Sequence, residues 1–141
     1  DKENLKICLI EDDESLRFTV KEILEKQNVQ IMEAENGKVG MDILHNEEIK
    51  PDLILLDLMM PVMNGFEFLK AIRETELNSI PILVLTGAEL SGDEKTFLLG
   101  ETQKILEKSE DTMSTIVNEV SNVIKASSFK NGDSKWQRFY M

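Results

Sequence analysis

Apolar residues fall into five short runs, separated by stretches in which they recur every three or four positions. The runs are 5–10 (LKICLI), 29–34, 52–57, 82–86 (ILVLT, opened by Pro81) and 104–108. Residues 53–56 and 82–85 are continuously apolar, the mark of strands covered on both faces. The intervening stretches have helical spacing. Leu16, Val20, Ile23 and Leu24 form one stripe, with Ser15 as the candidate cap. Val39, Ile43 and Leu44 line a helix over 38–46, and Phe66, Leu69 and Ile72 line another after Asn64-Gly65. A short helix is expected over 91–99, ended by Gly100, and a last one over 111–126 with Ile116, Val120, Val123 and Ile124 inward. Asn36-Gly37, Pro51 and Pro61 punctuate the chain between elements. Five strands alternating with five helices call for an α/β fold, a parallel sheet with helices on both faces.

The strand ends carry the chemistry. The first run stops at Glu11 and Asp12, the third at Asp57, the fourth at Thr86 and the fifth at Lys108. The second ends in Glu35-Asn36-Gly37 with no comparable grouping. Ligands of open parallel sheets bind beyond the carboxyl ends of the strands, where the strand order reverses. In the order 2-1-3-4-5, strands one, three, four and five are contiguous and the uninformative second strand is at an edge. Three carboxylates in one crevice would repel and raise one another's pKa. A hard dication relieves that, and Mg²⁺ takes a few carboxylates while keeping waters. A carboxylate left partly free can act as a nucleophile toward phosphorus. Phosphoryl transfer then needs positive charge over the transferred oxygens, which Lys108 and the metal can supply, and Thr86 offers a hydroxyl to the product. The site reads as an aspartate, Asp57, that accepts a phosphoryl group with metal help.

Charge narrows the alternatives. Sixteen basic against 27 acidic residues leave a net charge of −11, which disfavours direct nucleic-acid binding and anionic membrane surfaces. The single cysteine, Cys8, sits in an apolar run, so no intrachain disulfide is possible, as fits a reducing cytoplasm. There is no apolar stretch long enough for membrane insertion. With 141 residues, one domain is the natural size.

The motifs "CLIEDDESLR", "PDLILLDLMMPVMNGFEF", "IPILVLTGA" and "KILEK" together resemble the receiver domain of two-component response regulators, over about residues 5–126. The resemblance implies a flavodoxin-like doubly wound sheet. It implies that Glu11 and Asp12 organise Mg²⁺, that Asp57 is the phosphoacceptor, and that Met59 lends the metal its backbone carbonyl. Thr86 matches the switch hydroxyl, Ala88 the small residue beside the phosphoryl group, and Lys108 the phosphate-contacting base. The implied donor is a phosphohistidine on a histidine kinase or phosphotransfer protein, and the implied output goes to a downstream effector or covalently linked domains. Such a domain is no conventional enzyme: it catalyses its own Mg²⁺-dependent aspartyl phosphorylation and slow dephosphorylation.

Two positions depart from the usual pattern. Ile105 stands where an aromatic residue commonly couples phosphorylation to partner binding. Ser109 follows the lysine where a proline, often cis, is usual. A cis bond before a non-proline costs about 2.5–4 kcal/mol, so either a trans Lys108–Ser109 peptide with a rearranged loop or a strained cis bond is expected. The stretch from Leu85 to Ser109 also resembles receivers appended to hybrid sensor kinases.

Competing readings are weaker. A dehalogenase-type aspartyl enzyme needs an acid two residues after the nucleophile, and that residue is Met59. No phosphate-binding glycine motif follows the first strand. A degenerate receiver acting only as a protein-binding module is the remaining alternative. Asp13 and Glu14 are expected to serve the positive end of the first helix, Cys8 to pack in the core, and His45 to sit on a polar face. Residues 127–141 form a tail that holds the only Trp and Tyr.

Overall fold

The protein is described by a computed structural model covering residues 5–46, 48, 50–109 and 112–128. In chain order it contains β1 (Leu5–Ile10), α1 (Glu14–Glu25), β2 (Val29–Ala34), α2 (Gly37–Leu44), β3 (Leu53–Asp57), α3 (Gly65–Arg73), a 3₁₀ turn (Glu76–Ser79), β4 (Ile82–Thr86), α4 (Gly92–Glu101), β5 (Lys104–Glu107) and α5 (Thr112–Ser128). All strand pairs are parallel, in the order β2-β1-β3-β4-β5.

Side chains alternate across the sheet, so each strand feeds two cores. Cys8, Ile10, Ile54, Leu56 and Val84 meet α2, α3 and α4 on one face, around the fully buried Phe68. Ile7, Leu9, Leu53, Leu55, Leu83 and Leu85 meet Val20 and Leu24 of α1 and Ile116 and Val120 of α5 on the other. β3 and β4 are buried at every position, as their continuous apolar runs require. The registers Ile10↔Leu56↔Val84 and Thr86↔Glu107 bring the last residues of β1, β3, β4 and β5 to one edge.

Several element ends differ from expectation. Asp13, not Ser15, caps α1, accepting from Leu16 N, with Glu14 in the first turn. Asp13 lies one turn ahead of the apolar stripe, where its carboxylate reaches the free amides. Gly100 lies inside α4, which ends one residue later because Thr102 turns its backbone extended. Its hydroxyl, like its amide, caps Leu98 O. β3 begins at 53 and β5 stops at 107. The 3₁₀ turn, capped by Thr75, has too few residues for a periodic signal and was not expected. α5 runs on to Ser128; Val123 and Ile124, expected inward, have side chains outside the described residues, as does the tail from 129 onward.

Candidate functional site

Glu11 leaves β1 directly and is wholly buried. Its amide donates to Ala34 O at 3.0 Å. Its carbonyl accepts from Arg17 Nη1 at 2.7 Å, while Arg17 Nε donates to Glu33 Oε1 at 3.1 Å. Arg17 therefore fastens residue 11 between α1 and β2. The sequence pattern shows no sign of this, because an arginine on a helix face has the same spacing whether or not it reaches back to a loop. Glu11 Oε2 accepts from Asp13 N at 3.1 Å. Its other oxygen, Oε1, is buried 3.2 Å from Lys108 Nζ but in no hydrogen bond of acceptable geometry.

Asp57 ends β3 and is 2% exposed. Its Oδ1 lies 3.3 Å from Lys108 Nζ and 3.5 Å from Met59 N, the latter a long contact. Lys108 follows β5, and its amide donates to Thr86 O at 2.7 Å. One ammonium thus bridges carboxylates carried by β1 and β3. Asp12 is exposed at the rim, yet carboxylate oxygens of Glu11, Asp12 and Asp57 all lie within 4.8 Å of one another.

Such a cluster is electrostatically incomplete. Burial raises the Glu11 pKa to about 7; the neighbouring Asp57 charge adds to this, while the Asp13 amide and Lys108 oppose it. Burial also raises Asp57, against the pull of Lys108. For Lys108 burial works downward, but the two carboxylates outweigh it and hold the ammonium above its ordinary pKa. Three convergent hard oxygen donors and a buried oxygen lacking a donor are the set a small dication fits. The acidic pocket could hold a metal.

A dent of about 390 Å³ joins Glu11, Asp12, Asp57, Met59, Ala88 and Lys108. Met59, 61% exposed, lies at the open side of this dent. Thr86 is buried, with Oγ1 accepting from Ala88 N at 3.0 Å. Thr86 and the half-buried Ile105 line a neighbouring cavity of about 850 Å³ under the β4–α4 loop, with Ala88 and Lys108 on both walls. Of the residues expected at the site, six share the acidic pocket, while Thr86 and Ile105 border it from the next cavity.

The described residues contain no cis peptide, so the Lys108–Ser109 bond is trans. The turn after it is tied by Thr112, whose Oγ1 accepts from Ser109 N at 2.5 Å and donates to Ser109 O at 2.7 Å. Thr112 is buried at the start of α5 and was not singled out from sequence. Two backbone approaches hold the loop that follows β3. Gly37 N donates to Met63 O and Gly65 N to Leu58 O, both at 2.9 Å. Val62, in the same loop, is 75% exposed at φ 69°, a strained conformation for a β-branched residue.

The chain belongs to the response regulator receiver domain family, whose profile matches residues 7–121. It is 39% identical over 85 residues to the transcriptional regulatory protein CpxR of Escherichia coli K12, covering 60% of this chain and 35% of CpxR. The chain thus spans about a third of that relative's length. It is 33% identical over 97 residues to sporulation initiation phosphotransferase F of Bacillus subtilis, covering 69% of this chain and 77% of that protein. Among solved structures, the Mn²⁺-bound form of response regulator Rcp1 superposes with a TM-score of 0.71 at 28% identity, over 79% of this chain and 88% of that one. The expected doubly wound fold with order 2-1-3-4-5 is the fold observed. No described helix is long and apolar enough to cross a membrane.

Proposed function

We propose that this domain accepts a phosphoryl group on Asp57 from a phosphohistidine of a histidine kinase or phosphotransfer protein. One observation carries the reading. A buried aspartate sits within 3.3 Å of a lysine ammonium and clusters with two further carboxylates, Glu11 and Asp12. A carboxylate oxygen of Asp57 attacks phosphorus, the P–N bond to the donor imidazole breaks, and the imidazole leaves with the electron pair. Lys108, pre-positioned by the hydrogen bond its backbone N–H donates to Thr86 O, offers its ammonium to the phosphoryl oxygens as charge redistributes. Glu11, Asp12, Asp57 and the Met59 carbonyl would hold Mg²⁺, which when bound neutralises phosphoryl charge. The Mn²⁺-bound form of Rcp1 and the phosphotransferase name of the Bacillus relative support this assignment.

Thr86 would exchange its Ala88 bond for one to the phosphoryl group, shifting a two-state equilibrium in the β4–α4 loop. Output would go to an effector or to domains covalently linked in a longer protein, with no nucleic-acid contact by this domain. The complete set of site side chains weighs against a phosphorylation-independent binding module.

Intact mass after incubation with acetyl phosphate tests the proposal. A single phosphoryl adduct is expected with Mg²⁺, and none with EDTA or in Asp57→Asn. An adduct that persists in Asp57→Asn would place the acceptor elsewhere. Of the tail expected over 127–141, the first two residues continue α5, and we assign residues 129–141 to a tail outside the receiver unit. Removing 129–141 is expected to leave adduct formation intact; its loss would make the segment part of the unit.

A further inference from the structure

α4 is held differently from the other helices. α2 and α3 each bury four residues, whereas α4 buries only Leu98. Every residue from Ser91 to Thr96 is exposed. The first half of the helix adjoins the roughly 850 Å³ cavity beneath the β4–α4 loop, where Lys95 is a lining residue. Attachment is concentrated in the second half. Phe97 sets its ring 6.3 Å from Phe66 of α3, tilted by 38°. Arg73, the last residue of α3, places its guanidinium carbon 5.6 Å from the centre of that ring. The same side chain donates from Nη1 to Glu101 Oε2 at 2.9 Å. One guanidinium therefore grips two residues one helical turn apart, an aromatic ring and a carboxylate, a combination that a lysine ammonium reproduces less well.

The start of α4 is tied to the phosphorylation site instead. Five residues, 87–91, separate Thr86 from the helix, and the Thr86 Oγ1–Ala88 N bond is their link to the site. A helix fixed at one end and joined to a movable loop at the other can tilt about its fixed end. We propose that Arg73 is a positioning residue that clamps the last turn of α4 as a pivot. Rearrangement at Thr86 and Ala88 then goes into the first half of the helix. The movement rests on the proposed phosphorylation of Asp57; the clamp does not.

Hydrogen–deuterium exchange resolves the two. Without any phosphoryl mimic, Arg73→Ala is expected to speed exchange in the last turn of α4 about three- to ten-fold, the worth of one exposed ion pair and one cation–π contact. Arg73→Lys should recover only part of the protection, and Phe97→Leu should reproduce part of the loss. Unchanged last-turn exchange in Arg73→Ala overturns the clamp whatever happens at Asp57. With Mg²⁺ and beryllofluoride, wild-type changes are expected over residues 87–95, spreading to 96–102 in Arg73→Ala. Equal changes along the whole wild-type helix, or none despite occupancy of Asp57 seen by fluorine NMR, overturn the pivot. Failure of beryllofluoride to bind overturns the proposed function and the pivot with it, and leaves the clamp judged by the first comparison.

Discussion

Glu11 shows how a single buried residue couples the site to the pH dependence of the whole domain. Its carboxyl titrates near pH 7 when folded, against an ordinary value of 4.5. The native state therefore binds a proton that the unfolded chain has already released. The favourable contribution is fully present below the unfolded value and is lost as pH rises through the folded one. Without divalent metal, stability should fall between about pH 4.5 and 7, by on the order of 1–3 kcal/mol. Asp57, shifted in the same direction by burial, adds to the fall. Glu11→Gln should flatten the profile, because a neutral amide has no proton to lose. Urea midpoints at pH 5 and pH 8 for both proteins measure the difference. A wild-type domain more stable at pH 8 than at pH 5 in EDTA would contradict the assignment.

At the scale of elements, the loop from Asp57 to α3 has its geometry tightly held at its far end. Asn64 caps α3 by accepting from Glu67 N, and Glu67 returns the bond to Asn64 N, each at 2.9 Å. The helix start is thereby fixed against the strand end. Gly65 lies so close to that strand that an added Cβ would be 2.6 Å from Asp57 O and 2.8 Å from Leu58 Cα. Backbone cannot move aside as a side chain can. Gly65→Ala should cost about 1–3 kcal/mol and slow adduct formation, because the displaced backbone is that of Asp57. Gly40 in α2 is a useful contrast. Its added Cβ would meet Ile10 Cδ1 at 2.5 Å, the end of a flexible side chain. Repacking Ile10 is offset by the better helix propensity of alanine, worth up to about 1 kcal/mol. Gly40→Ala should therefore change stability less than Gly65→Ala and leave the rate of adduct formation near wild type. Urea unfolding and time-resolved intact mass on the two variants check both statements.

Over the whole molecule, the site works as a junction between strands far apart in sequence. Lys108 reaches back across 97 residues to Glu11, so the ends of the first and last strands in the chain meet at one ammonium. A dication held by Glu11, Asp12 and Asp57 would bind the folded chain and not the unfolded one. It should stabilise the domain by mass action, by about 2.7 kcal/mol at a hundred times its Kd. Thermal unfolding with and without Mg²⁺ should show a rise in Tm that Asp12→Ala reduces. Asp12 suits this test because its exposed side chain can be removed without opening the core. No Mg²⁺-dependent shift at millimolar concentration would argue against a metal site built from these three carboxylates.

The sequence by itself determined the sheet, because buried parallel strands must be apolar along their length and 53–56 and 82–85 are. It also determined which residues stand at the strand ends, since a charged group such as Asp57 is tolerated there and not inside the strand. Helix limits were less legible. A cap is decided by which side chain reaches the first amides, as Asp13 rather than Ser15 does, and a glycine such as Gly100 stops a helix only if the next residues leave it. Tertiary structure alone decided the contacts made at right angles to the chain. Arg17, bridging the Glu11 carbonyl and Glu33, and the Arg73 grip on α4 each join partners brought together by packing. Periodicity reports which face of an element is buried. It carries no record of what a polar side chain meets once the faces have closed.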